Sequence, residues 1–469
     1  MATYEIKHLK SIDINGMIHN TYASNFYERI MNLYLINTRY AINEINRLNN
    51  CRVANKEKYD NSIQKLFEVY WPSFLKMCES KKIVLRESII DNVNRLISCR
   101  KIDYGYLYFE CPKCNQFEIV PFTCKSRFCP TCGAKYRDDR TLEIEKKCIN
   151  TNHRHIVFTL SDKLRKYFRY DRKLIDDLFE AVNLTFNDFR VEYNKKKTKK
   201  KIRKKTFGFI STLHTFGRDL KFNPHIHALV AEAILIDGEY KDYTYFNYER
   251  IRKCFMYNLI SLLNKHIPKS DKIPKYEKDD YRIITSSLFN EYDNGFYVYA
   301  PKINEKFKSN HELIKYVTRY SGHPAISETR IDRIDYVSNT ITYRYTPHED
   351  DNLDDDLKTG EIVVTESVYE FIKKLIVHIP ENNMHNIRYY GFYSNKFKNK
   401  DIPKKKKGSL YSEYHIRKAK LNSLWKYKII KNFDYDPLMC SKCGMNMELV
   451  IDLCYFPENM KRSDYKRYG

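Results

Sequence analysis

The chain has 469 residues, with 83 Lys and Arg against 59 Asp and Glu, a formal net charge of +24. That length accommodates several domains, a 42% hydrophobic share excludes wholesale disorder, and the positive excess calls for a polyanionic partner bound in a salt-dependent way. No apolar stretch approaches the roughly 20 residues of a membrane-spanning helix, and MATYEIKHLKSIDING lacks a secretory apolar core, so no membrane partner and a cytoplasmic location are expected.

Residues 1–95 read as a helical region. Apolar side chains return every three or four positions in Phe26–Ile30–Leu33–Tyr34 and in Ile63–Leu66–Phe67–Tyr70–Trp71–Phe74–Leu75. A small cysteine-rich domain is expected over 96–145, with short strands at Tyr106–Phe109 and Glu118–Pro121. A larger domain spans 150–350. In it HRHIVFTL (153–160), FGFISTLHTFG (207–217) and HIHALVAEAILI (225–236) read as strands, the last ended by Asp237-Gly238. Helices are expected at 170–193, 245–265 and 311–320. KKKTKKKIRKK (195–205) is too charged for a core and reads as an exposed connection or DNA-facing arm. Arg330–Arg344 alternates like a strand, and the acidic run at 349–355 reads as a loop. A C-terminal region, 360–469, opens with a helix at 365–379 capped by Thr365, passes the exposed KKKK at 404–407, and ends in a compact piece with Trp425 and CSKCG (440–444).

Five of the 13 cysteines fall between Cys111 and Cys132. Cys111 and Cys114 form CPKC, Cys129 and Cys132 form CPTCG, and Cys124 and Cys99 lie close by. Two CxxC turns separated by a short loop point sulfurs toward one centre and suit structural Zn²⁺ better than crosslinks. Six candidates exceed one four-ligand site, and spacing does not choose among them. Lys125, Arg127, Lys135, Arg137 and Arg140 around them suit contact with DNA phosphates. Cys440 and Cys443 have no evident second pair, with Cys454 as one candidate.

His225 and His227 are two apart on an expected strand, so their rings share one face while Ile226, Ala228 and Val230 take the other. That spacing suits joint coordination of one divalent ion able to polarise a phosphodiester. His153 and His155 repeat the pattern but read as the polar start of a strand. On the helix at 311–320, Tyr316 and Tyr320 are four apart and face one direction. A phenol attacking a DNA phosphate leaves a phosphotyrosine that retains the energy for resealing, with Lys315 and Arg319 near enough in sequence to hold phosphate.

Four segments carry a family resemblance in one order: CKSRFCPTCGAKYR (124–137), LHTFGRDLKFNPHIHALV (213–230), KYVTRYSGHPAISETRI (315–331) and IRYYGFYSN (387–395). Together they resemble the IS91-type insertion-sequence transposases, relatives of rolling-circle replication initiators with a histidine–hydrophobic–histidine nuclease motif. The resemblance implies an α+β fold: a central, five-stranded antiparallel sheet flanked by helices, preceded by a small cysteine-rich zinc-binding domain. It implies cleavage and rejoining of single-stranded DNA at element ends through a 5′-phosphotyrosine, with Mg²⁺ or Mn²⁺ on His225 and His227 and Tyr316 or Tyr320 as nucleophile. His214 matches a family position and is a candidate third ligand or support. Arg388, Tyr389 and Tyr390 also recur, as structural or DNA-contacting residues. The implied partners are single-stranded DNA, hairpin or duplex element ends, and a host helicase or replication machinery, because the chain has no NTPase phosphate-binding loop. Two other readings use the same residues: a plasmid replication initiator or relaxase, and a non-catalytic zinc-dependent DNA-binding regulator.

Overall fold

The computed structural model describes residues 62–196, 205–236, 238–300, 309–319, 325–346, 360–395, 430, 436 and 438–456. The Phe26–Tyr34 stripe, most of the lysine run, Asp237, Tyr320, the acidic run, KKKK and Trp425 lie outside the described residues. In chain order the strands are β1 (Tyr106–Glu110), β2 (Phe117–Pro121), β3 (His153–Thr159), β4 (Lys205–Phe216), β5 (Phe222–Ile236), β6 (Glu239–Asp242), β7 (Val298–Tyr299), β8 (Ile331–Asp335), β9 (Thr340–Tyr345), β10 (Ile362–Ser367), β11 (Ile387–Gly391) and β12 (Glu448–Leu449). The helices are α1 (Ser62–Ser80), α2 (Glu87–Ser98), α3 (Pro130–Lys147), α4 (Asp162–Tyr170), α5 (Leu174–Lys196), α6 (Tyr248–His266), α7 (Lys275–Glu291), α8 (Asn310–Arg319) and α9 (Val368–Ile376).

Contacts divide the chain into two units, one of Met1–Val69, Ile90–Cys132 and Glu413–Gly469, the other of Tyr70–Ile89 and Gly133–Ser412. The first holds a small antiparallel sheet in the order β12-β1-β2. Phe109 stands opposite Leu449 on one side and Glu118 on the other. Tyr106, Leu107, Tyr108 and Phe109 are all buried, packed with Phe117, Ile119, Phe122, Met447 and Leu453. So small a core is the setting in which bound metal contributes folding free energy.

The second unit is built on an antiparallel sheet in the order β11-β4-β5-β3-β7, with β6 paired to β5. It is the expected α+β arrangement, a central antiparallel sheet flanked by helices. Register decides what each face carries, because a slip of one residue exchanges the two. Phe158 of β3 pairs with Ile226 of β5, and Leu213 of β4 pairs with the same Ile226. These side chains, with Ile156, Phe209, Ala228 and Val230, bury against Tyr167 and Phe168 of α4, Phe179 and Val182 of α5, and Phe255 and Leu259 of α6. On the opposite face Ile210, Leu229, Ala231 and Leu235 pack against Ile144 of α3 and Leu313, Ile314 and Val317 of α8. The histidines at 225 and 227 continue the row of Leu229 and therefore lie on the α8 side.

Several local expectations shift. Arg330–Arg344 is a hairpin rather than one strand: the Asp335 carboxylate accepts the backbone N–H groups of Val337 and Ser338, and Asn339 takes a positive φ of 54°. Thr365 does not cap the helix after it. It lies in β10, pairs with Thr342, and Ser367 caps α9 by accepting from the Tyr369 N–H. The helix expected at 170–193 begins only at Leu174, because Asp171 ends α4 and binds the Lys173 N–H and the Ser270 hydroxyl. Helix α7 was not foreseen. Nor was the length of α3, which starts at Pro130, where a missing N–H matters least.

In the IRYYGFYSN segment two of the recurring residues pack on core rings. Tyr390 stacks on Phe209 at 4.8 Å, and Arg388 lies over Phe179 at 4.1 Å. Gly391 sits at φ +57°, where a Cβ would stand 1.5 Å from the Phe207 carbonyl oxygen. Only glycine lets β11 close onto β4 there.

Candidate metal and nuclease centre

The centre begins with strand register. His214 of β4 is directly opposite His225 of β5, and His227 is two residues further along the same face. Candidate ligand atoms of His214, His225 and His227 all lie within 4.8 Å of one another. The structure thus brings the third candidate, His214, to the expected pair.

Each outer nitrogen has a defined partner. His225 Nδ1 is 2.7 Å from the Asn223 carbonyl, to which it donates, leaving Nε2 for a ligand. His227 Nδ1 is 2.8 Å from His155 Nε2, so Nε2 of His227 is likewise left to ligate. Such contacts on the non-ligating nitrogen fix ring orientation and tautomer in metal sites. Burial holds His225 down to about 4, with the Arg165 guanidinium adding to the effect against the Asn223 hydrogen bond. Burial also holds His214 well below its ordinary range, reinforced by His225 and His155. Neutral imidazole is the ligating form, so this donor set fits a divalent cation. Arg165 is half-buried and forms no ion pair among the described residues.

His155 is the residue that sequence reasoning passed over. Its HxH pairing with His153 gave only the reading of a polar strand start, yet the two rings part company. His153 is buried, with Nε2 2.7 Å from the Tyr393 hydroxyl, and it serves the junction of β3 with the β11 turn. His155 faces the centre. The usable signal was the alignment of two HxH strands, which needs the β3–β5 register.

Helix α8 supplies Tyr316. Leu313, Ile314 and Val317 anchor it in the core, and the Thr318 hydroxyl meets that of Thr141 at 2.6 Å. Tyr316, one position off this buried stripe, is partly buried with its ring edge-to-face on His155, centroids 5.5 Å apart. Tyr316 therefore stands beside the His155–His227 pair. Lys315 on the same helix is exposed.

The six candidate cysteines of the N-terminal module do not share one centre. Cys99, Cys124, Cys129 and Cys132 form one group, and Cys111 and Cys114 join Cys440 and Cys443 in another. In the first, Cys99–Cys132, Cys124–Cys132 and Cys129–Cys99 sulfur separations are 3.7, 3.6 and 3.8 Å. Thiolates held about 2.3 Å from one tetrahedral Zn²⁺ stand about 3.8 Å apart, so the group fits that ion. Contact with Cys124 pulls the Cys132 thiol well down, while contact with Cys129 pushes that of Cys124 up. Of the six candidates left open by spacing, CPKC and CPTCG thus fall in different groups, because β1 and β2 carry CPKC away from CPTCG, which opens α3. Cys454 belongs to neither group. Its sulfur is buried and accepts the Tyr108 N–H.

Among the described residues no helix is long and apolar enough to cross a membrane. Comparison with known proteins matches two families. The one described as "Transposase zinc-binding domain" covers residues 66–160, and the one described as "Putative transposase" covers 208–401. The chain is 26% identical to the transposase for insertion sequence element IS801 of Pseudomonas savastanoi pv. phaseolicola, over 77% of this chain and 83% of that protein. It is 24% identical to the putative transposase y4qJ of Sinorhizobium fredii (strain NBRC 101917 / NGR234), over 65% of this chain and 74% of that one. No solved structure matches.

Proposed function

We propose, from the premise that the chain belongs to the IS91-type transposases and carries their zinc-binding domain, that it cleaves and rejoins single-stranded DNA at element ends through a 5′-phosphotyrosine. What carries the reading is the convergence of His214, His225 and His227 on the face where Tyr316 packs against the His155–His227 pair.

His225 and His227 would hold Mg²⁺ or Mn²⁺, with His214 as third ligand. When bound, that cation supplies a Lewis acid for a non-bridging phosphodiester oxygen. Asn223 and His155 keep the two outer imidazoles in the ligating tautomer. Tyr316 Oη attacks the phosphorus, the bond to the 3′-oxygen breaks, and the proton lost by the phenol is balanced by one taken up on the leaving 3′-hydroxyl. A new 3′-hydroxyl reverses the step and reseals the strand, so no nucleoside triphosphate is consumed. Tyr320, four residues on in sequence, is the alternative or second nucleophile and permits a relay in which one tyrosine holds an end while the other cleaves. Arg165 is the cation available to the phosphate beside His225. Cys99, Cys124, Cys129 and Cys132 would hold structural Zn²⁺, and the basic residues around them, Lys125 and Arg127 among them, would contact hairpin or duplex ends. Strand separation falls to a host helicase or to replication.

The test incubates purified protein with labelled single-stranded end DNA and Mn²⁺. A denaturant-resistant protein–DNA adduct is expected, and His225→Ala with His227→Ala abolishes it. An adduct equally abundant in that variant overturns the metal role. A protein that binds DNA but never forms an adduct, with any divalent ion, favours the non-catalytic regulator.

A further inference from the structure

Cys440 and Cys443 lie beyond both family matches, which end at residues 160 and 401. Their sulfurs nevertheless meet those of CPKC from the other end of the chain. Cys111–Cys443 is 3.4 Å, Cys114–Cys440 is 3.5 Å and Cys114–Cys443 is 3.7 Å, across more than three hundred residues of sequence. These separations are far above the ~2.0 Å of a disulfide and near the ~3.8 Å edge of a tetrahedral zinc thiolate.

The two turns are also copies of each other in backbone structure. Cys111 N–H donates to the Gln116 carbonyl and Asn115 N–H returns to the Cys111 carbonyl. Cys440 N–H donates to the Met445 carbonyl and Gly444 N–H returns to the Cys440 carbonyl. Both turns close on a residue with positive φ, Asn115 at 53° and Gly444 at 70°. Each aims amides at its own sulfurs: Lys113 and Cys114 at Cys111, Lys442 and Cys443 at Cys440, Gln116 at Cys114, Met445 at Cys443. The strands beside the turns pair as well, Glu110 with Glu448 and Phe109 with Leu449, and Tyr106 bridges Tyr455. A chance meeting of four thiols explains neither the matched turns nor the paired strands.

We propose that Cys111, Cys114, Cys440 and Cys443 form a second tetrathiolate Zn²⁺ site, which makes the zinc module bipartite and fastens the C-terminal segment to the β1–β2 hairpin. Each turn contributes two ligands from one β-hairpin end, so neither half makes the site alone. The inference does not rest on the nuclease reading, since no residue of the histidine centre takes part.

Zinc content of the full chain tests it, measured by mass spectrometry in a His225→Ala/His227→Ala background so that the histidine centre adds nothing. Two zinc ions per chain are expected, falling to one with Cys440→Ser plus Cys443→Ser and likewise to one with Cys124→Ser plus Cys129→Ser. One ion per chain in the parent, or two retained after Cys440→Ser plus Cys443→Ser, overturns the proposal. Should the serine variants not fold, iodoacetamide mapping of the same parent decides. Cys440 and Cys443 are expected to be protected until a chelator is added, and then to label together with Cys111 and Cys114. Labelling of Cys440 and Cys443 at one rate with and without chelator overturns it.

Discussion

Replacing His155 with Phe tests whether the hydrogen bond behind His227 prepares the metal centre. The substitution keeps a ring against Tyr316 and removes the nitrogen that stands 2.8 Å from His227 Nδ1. His155 is only 3% exposed, so an aromatic ring in its place keeps the site filled where a smaller side chain would leave a cavity. Loss of such an orienting partner lowers metal affinity roughly 10- to 100-fold, about 1.4 to 2.7 kcal/mol. The assay is adduct formation on single-stranded end DNA as a function of Mn²⁺. Half-saturating Mn²⁺ is expected to rise by that factor, while adduct yield at saturating Mn²⁺ stays within a few-fold of the parent. In a His227→Ala background the same change is expected to leave the Mn²⁺ requirement where His227→Ala alone puts it. An unchanged Mn²⁺ requirement in the singly substituted protein refutes the positioning role, and an equal loss at all Mn²⁺ concentrations assigns His155 to something other than the metal.

Gly391→Ala brings a Cβ within 1.5 Å of the Phe207 carbonyl at a backbone φ of +57°, and a loss of about 3 kcal/mol, read as a lower urea midpoint, is expected. An unchanged midpoint contradicts the tight β11–β4 closure. Burial holds His153 at about 4, against an ordinary 6.5, so between those values the unfolded chain takes up a proton that the folded chain refuses. The stability this confers is complete above about pH 6.5 and declines as pH falls toward 4, at about 1.4 kcal/mol per unit. Urea titrations of His153→Gln across that window should be flatter by this slope, and a parallel profile contradicts the assignment. Arg165→Ala is expected to reduce the salt dependence of single-stranded DNA binding by about one unit of slope. An identical slope removes Arg165 from the phosphate.

The fold and the centre were legible to different depths, for physical reasons. Strands that carry a period-two pattern with β-branched and aromatic residues, such as HRHIVFTL and HIHALVAEAILI, announced themselves and ended within a residue or three of expectation. Boundaries set by side-chain hydrogen bonds did not. Ser367 rather than Thr365 caps α9 because pairing with β9 keeps the chain extended to that point, a tertiary fact. The His225–His227 pair was visible from local spacing, and His214 from resemblance. His155 was not, because only the β3–β5 register turns it toward His227. The cysteines show the same limit more sharply: spacing left six candidates open, and the chain groups CPKC and CPTCG each with more distant sulfurs.

We propose that a tyrosine of the segment 316–320 joins DNA at a centre made by His225 and His227. The most direct measurement is mass spectrometry of the protein–DNA adduct after protease and nuclease digestion. A nucleotide remnant is expected on the phenolic oxygen of Tyr316 or Tyr320, absent when both are Phe and absent when Mn²⁺ is withheld. A remnant on any other residue, or an adduct that persists in the Tyr316→Phe/Tyr320→Phe protein, contradicts it.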